Sequence, residues 1–90
     1  ELLNTLLIPN TKKIKKGIET VSNNRYVKVT LSQYVIQSQD QAREILTTLQ
    51  KFSDADDSIM VLKLDISNWY CVNLPKNVTD WMHKATAVGN

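Results

Sequence analysis

The spacing of apolar residues changes several times along this chain, and each change predicts a new element. Residues 2–8 are rich in leucine, which predicts one or two helical turns at the start. Between residues 11 and 22, Ile14, Ile18 and Val21 recur at spacings of four and three, which is typical of one apolar stripe on a helix. The lysines of that stretch fall on the other side, so the outer face of this helix is predicted to be basic.

A long alternation of apolar and polar residues begins at residue 25 and predicts a β-strand. Val27 and Val35 point to one side of this strand, whereas Tyr26 and Tyr34 point to the other side. The alternating stretch is longer than an ordinary strand, so we expect a bend or bulge near its middle. The valine side is expected to be buried, and the tyrosine side is expected to be the largely polar face.

The second half of the chain predicts four further elements. Helical spacing returns over residues 38–52 and predicts the most secure helix of the chain. A short apolar run at 59–66 and a second one at 69–74 predict two strands joined by a tight turn. Helical spacing over 77–88 then predicts a last helix.

Together these elements predict one α+β domain over residues 1–90, with the order α-β-α-β-β-α. Residues 1–24 form an N-terminal helical segment in this interpretation, and residues 25–88 form a β-α-β-β-α unit. The two strands around the middle helix are expected to be parallel, and the last strand antiparallel. The result is a two-layer sandwich with a small three-stranded mixed sheet and all helices on one face. It resembles a split β-α-β plait without its last strand, a topology that implies no function by itself.

Composition and charge narrow the class of protein only slightly. The 90 residues have a net charge of +2 and 42% hydrophobic residues, which fits an ordinary globular domain. The charge is uneven, because residues 1–28 hold six basic side chains against two acidic ones. No apolar run is long enough to cross a membrane. The single cysteine, Cys71, excludes a scaffold held by internal disulfides.

The residues that support catalysis or metal binding are few. His83 is the only histidine and Cys71 the only cysteine, so no zinc site of the usual kind can form. Cys71 is predicted to be buried in a strand, and His83 to be a partly exposed helix residue. The aspartates of residues 54–57 lack the glycine and glutamate of a calcium loop. The sequence therefore predicts no enzyme, no metal and no cofactor.

Two surfaces are candidates for binding. A basic surface suited to nucleic-acid phosphates would consist of Lys12, Lys13, Lys15, Lys16, Arg25 and Lys28. An aromatic protein interface would consist of Tyr26, Tyr34, Trp69 and Tyr70. Each has an ordinary alternative, a solvated helix face for the lysines and a solvated sheet face for the aromatic residues.

These observations favour a small protein-binding or self-associating module without enzymatic activity. A homodimer is expected, because a small sheet leaves an edge strand on which a second chain can pair. The alternative function is nucleic-acid binding through the basic helix at 11–22, and a small enzyme comes third. We expect an intracellular (cytoplasmic) regulatory or accessory protein without a membrane partner or small-molecule substrate. The usage of Asn, Lys and Ile is compatible with a phage or viral origin.

Overall fold

The computed structural model describes residues 2–9, 14–64 and 72–86, and it confirms the α+β class. The described residues form four strands and three helices. In chain order they are β1 Leu2–Leu7, α1 Lys15–Ser22, β2 Tyr26–Thr30, β3 Gln33–Ser38, α2 Ala42–Gln50, β4 Met60–Lys63 and α3 Lys76–Thr86. None of these helices is both long and apolar enough to span a membrane.

Among the described residues, the sheet has four antiparallel strands in the order β2-β3-β1-β4, not three mixed strands as predicted. Of the predicted strand at 69–74, residues 69–71 lie outside the described part of the chain and residues 72–74 form no strand. The strands β3 and β4 flank α2 in the chain and are both antiparallel to β1. They therefore run in the same direction, as predicted, but β1 lies between them. Up to β4 the described order is β-α-β-β-α-β, which is the topology of the ferredoxin-like, split β-α-β plait.

The leucine-rich stretch at 2–7 is a central strand, so the prediction of helical turns there is wrong. Side chains alternate between the two faces of a strand, so Leu3 and Leu6 lie on opposite faces of the sheet. Both are buried. A strand buried on both faces reads as a continuous apolar run, and its period does not distinguish it from a short helix.

The predicted long strand is a β-hairpin made of β2 and β3. Leu31 and Ser32 form the two-residue turn, and the pairing shifts by a bulge between Lys28 and Thr30. The expected bend near the middle is thus a complete reversal of the chain. The turn contains no Gly, Asn or Pro, the residues that usually mark a hairpin. The alternation of apolar and polar residues continues through the turn, so the sequence did not indicate where the chain reverses.

The main core lies between α1, α2 and one face of the sheet, which we call the main-core face. The buried residues of this core are Leu6, Ile8, Ile14, Ile18, Val21, Tyr34, Ile36, Ile45 and Leu49. Gly17 lies where α1 approaches α2, next to Phe52 and Leu49. The helix α2 begins at Ala42 after Gln41, whose backbone N–H donates to Oε1 of Glu44. The helix thus begins four residues after Ser38, where its start was predicted, and Ser38 instead accepts a hydrogen bond from the N–H of Asp40.

The helix α3 packs on the opposite face of the sheet, which we call the α3 face. Val78 of α3 is buried there against Val27 and Val35, with Trp81 and Met82 beside them. The prediction that all helices share one face is therefore wrong. The valine side of the hairpin is buried as expected, but it faces α3, with Leu64 and Leu74 also packed there, whereas α1 and α2 cover the tyrosine side.

Four polar side chains of the described residues are buried, and Asn4 differs from Thr5, Ser22 and Ser38 in that its polar atoms have no hydrogen-bond partner. Asn4 lies in the middle of β1, opposite Ile36 of β3 and Lys63 of β4. Its side-chain nitrogen and oxygen are inaccessible to solvent and have no hydrogen-bond partner in the described part of the chain. Such a group destabilises the fold, because it has lost its hydrogen bonds to water without replacing them.

Candidate functional site

The predicted basic residues do not form one surface. Lys15 and Lys16 are exposed in the first turn of α1, and Arg25 and Lys28 are also exposed. However, Tyr26 lies on the main-core face, so its neighbour Arg25 lies on the α3 face, whereas Lys28 returns to the main-core side. Arg25 is thus separated by the sheet from Lys28 and the α1 lysines. The remaining predicted residues, Lys12 and Lys13, lie outside the described part of the chain.

The predicted tyrosine pair belongs to the main core. The rings of Tyr26 and Tyr34 are tilted against each other with their centroids 6.0 Å apart. Tyr34 is only 3% exposed, and Tyr26 is partly buried against the same core. Tyr34 therefore offers almost no surface for a partner or for base stacking. Trp69 and Tyr70, the other two predicted interface residues, lie outside the described residues.

An exposed apolar patch lies at the β4 side of the α3 face. Leu7 of β1 is paired with Met60 of β4, and Leu62 lies two residues further along β4 on the same face. These three side chains are 36%, 53% and 47% exposed, respectively. We call them the edge patch. The sequence does not indicate this patch, because the leucine-rich spacing of residues 2–8 predicts helical turns, which cannot pair with β4.

The outer backbone of β4 lies next to this patch. The N–H of Leu64 donates to the carbonyl of Leu3 at 2.9 Å, which makes Leu3 and Leu64 a hydrogen-bonded pair. Since such pairs alternate along an antiparallel ladder, Met60 and Leu62 also turn their backbone groups toward β1. The N–H and C=O groups of Val61 and Lys63 point away from the sheet. Among the described strands, none pairs with this side of β4.

Two grooves add further concave surface. One, of about 230 Å³, lies between α3 and the adjacent end of the hairpin, and its lining residues are Arg25, Gln37, Trp81, Lys84 and Ala85. We call it the α3 groove.

The other groove, of about 370 Å³, lies beside the acidic loop that follows α2. The carboxylates of Asp54, Asp56 and Asp57 in that loop lie within 4.8 Å of one another. The loop is also stabilised from within, because the N–H of Asp54 donates to Oδ2 of Asp57 at 2.8 Å.

Of the two residues considered for catalysis, only His83 lies in the described part of the chain. His83 is an exposed residue of α3, and Cys71 lies outside the described residues. The absence of enzymatic activity therefore stays a prediction. No protein-family model, curated protein sequence or solved structure matches this chain, so functional proposals have to come from its own residues.

Proposed function

We propose that this chain is a protein-binding module that pairs with a second copy of itself through the outer side of β4. The observation that supports this best is the edge patch, because three large apolar side chains lie exposed beside backbone groups that no described strand pairs with. Unpaired edges and exposed apolar patches are each typical of association sites. In this protein the unpaired edge and the edge patch lie together at β4, with Leu7 of the neighbouring strand β1 completing the patch.

The sequence of β4 suits pairing with an identical strand. When two identical strands pair antiparallel around a two-fold axis, opposite residues have their side chains on the same face of the sheet. The backbone N–H and C=O groups that point away from each sheet must also lie opposite one another, so that they can form hydrogen bonds. Both conditions hold if Val61 is opposite Val61 of the second copy. Met60 then lies opposite Leu62 of the second copy, so the two edge patches become one apolar surface across the joint.

The charges of β4 are also compatible with this arrangement. Pairing at Val61 places Lys63 opposite Ile59 of the second copy, so the two Lys63 ammonium groups do not face each other. The strand has only four residues, and the edge patch only three side chains. We therefore expect a weak, concentration-dependent dimer of the kind that small interfaces form.

The nucleic-acid alternative has less geometric support. Of its six proposed residues, two are outside the described structure, and Arg25 is on the opposite face of the sheet from Lys28. Lys15 and Lys16 remain on the surface of α1, as they would on any amphipathic helix. Tyr26, which shares a face with Lys28, is packed against the main core and therefore offers little surface for base stacking.

The oligomeric state tests the proposal directly. Sedimentation equilibrium of the unmodified chain should show a monomer that becomes a dimer as the protein concentration rises. Leu62→Lys should remain monomeric, because two charged side chains would be placed within the shared apolar surface. Leu31→Lys is the matched control, since Leu31 is 81% exposed in the hairpin turn and should dimerise as the unmodified chain does.

Hydrogen exchange at one amide provides a second measurement. In the dimer the N–H of Val61 is hydrogen-bonded, so its exchange should slow as concentration increases. A strict monomer at high concentration would contradict the proposal, and so would a dimer that Leu62→Lys leaves intact. Slow exchange at Val61 that does not depend on concentration would show that the chain itself covers this edge, which would also overturn the proposal.

A further inference from the structure

The α3 groove lies on the same face of the sheet as the edge patch but at its opposite side, and it has a different chemistry. Gln37 is paired with Arg25, since the N–H of Gln37 donates to the carbonyl of Arg25 at 2.9 Å. Both side chains therefore project on the α3 face in one row across the hairpin. The second half of α3 lies over this row and contributes Trp81, Lys84 and the buried Ala85.

The lining residues combine positive charge with a flat aromatic surface. Arg25 and Lys84 are both cationic, and the described residues that line the groove include no acidic side chain. Gln37 supplies an amide that can donate and accept hydrogen bonds, and Trp81 supplies the indole. Guanidinium and ammonium groups together are well suited to a phosphate, which accepts several charge-assisted hydrogen bonds. The indole of Trp81 is partly buried beside Val78, and the part that lines the groove offers a surface for a planar ring.

We propose that the α3 groove binds a phosphate monoester attached to a flat ring, as in a nucleoside monophosphate. The charges support a phosphate more than a carboxylate, because a phosphate monoester carries about −1.5 to −2 at pH 7 and meets two cations here. The volume of about 230 Å³ is below the range of about 300–1,000 Å³ for drug-sized ligands. A single nucleotide, free or at the end of a strand, would therefore lie partly in the groove and partly in solvent. This site is independent of self-association through β4.

The groove also has a simpler structural explanation that the test must separate from binding. Lys84 is in the last turn of α3, where a cation interacts favourably with the helix dipole whether or not a ligand is present. Arg25 and Lys84 are exposed, so water can solvate both charges. If Arg25 and Lys84 were only surface charges of this kind, an anion would bind in the groove no more tightly than elsewhere on the surface.

Titration of the unmodified chain with AMP, followed by two-dimensional NMR, tests the site. The indole N–H of Trp81 and the side-chain amide of Gln37 should shift together and saturate. Lys84→Gln should weaken AMP binding by about tenfold or more, as expected for loss of a charge-assisted contact to phosphate. Lys76→Gln is the matched control, because Lys76 is exposed at the other end of α3 and does not line the groove, and its affinity should be unchanged.

Three further titrations identify what the groove recognises. Adenosine should bind more weakly than AMP by at least about tenfold, and inorganic phosphate should compete with AMP. An oligonucleotide with a 5′-phosphate that shifts the same two resonances identifies strand ends as ligands, whereas shifts with AMP alone identify the free nucleotide. Equal affinity for adenosine and AMP, an equal loss in both lysine variants, or no saturable shift at Trp81 with any of these probes would overturn the proposal.

Discussion

Helix propensity and helix packing act in opposite directions at Gly17. A glycine inside a helix is about 1 kcal/mol less favourable than an alanine, so propensity alone predicts that Gly17→Ala stabilises the protein. However, a Cβ at this position would lie 2.8 Å from Cδ2 of Phe52, 3.1 Å from its Cγ and 3.3 Å from Cδ2 of Leu49. Since Cγ is the ring atom bonded to Cβ, the ring cannot avoid the new methyl group by a small rotation about its own axis.

The packing effect should exceed the propensity effect. Overpacking a core by one carbon costs about 1–3 kcal/mol, against a gain of about 1 kcal/mol from propensity. We therefore expect Gly17→Ala to lower the free energy of unfolding by about 1 kcal/mol and the melting temperature by about 4–8 °C. Thermal and urea unfolding, followed by circular dichroism, measure both quantities.

A second substitution identifies the contact responsible. In a Phe52→Leu background the aromatic ring is gone, so Gly17→Ala should be neutral or stabilising by up to about 1 kcal/mol. If Gly17→Ala raised the melting temperature of the unmodified chain, the close contact with Phe52 would not be what glycine permits here. An equal destabilisation in both backgrounds would also refute this reasoning, because Phe52 would then have no part in the effect.

Two further predictions concern stability. Asn4→Leu should raise the free energy of unfolding by about 1–3 kcal/mol, since it replaces a buried amide without partners by an apolar side chain; a lower melting temperature would show that the amide is hydrogen-bonded in solution, for example to a buried water. Leu6→Ala should lower the free energy of unfolding by about 2–5 kcal/mol, because Leu6 is completely buried. Leu31→Ala should change it by less than about 0.5 kcal/mol in the same urea titration, and similar values for the two would contradict the described core.

The three described helices, and the fact that Tyr26 and Tyr34 lie on one face of the sheet, were predictable because both depend on the local spacing of residues. The apolar stripes of α1, α2 and α3 each follow the helical period, and Tyr26 and Tyr34 share a face as the alternation indicated. Which face the helices cover was not predictable in this way. That choice depends on the position of β1 in the sheet, and a long-range pairing leaves no periodic signal in the sequence.

The candidate sites followed from the fold more than from motifs. The edge patch exists only because Leu7 and Met60, far apart in the chain, are paired. The α3 groove similarly requires Arg25 and Gln37 to be neighbours across a hairpin that the sequence does not mark with a turn residue. Of its lining residues, sequence analysis selected only Arg25, as part of a basic surface that the sheet divides.

The central position of β1 has a consequence for dividing the chain. This strand pairs with six residues of β3 and four of β4, and residues 8–14 connect it to α1 in the sequence. A cut in that connection would leave β1 as a peptide held between two strands of the remaining fragment. The protein would then become a two-component system in which a short synthetic peptide completes the sheet, as in donor-strand complementation. The amount of folded protein would be set by the amount of peptide supplied.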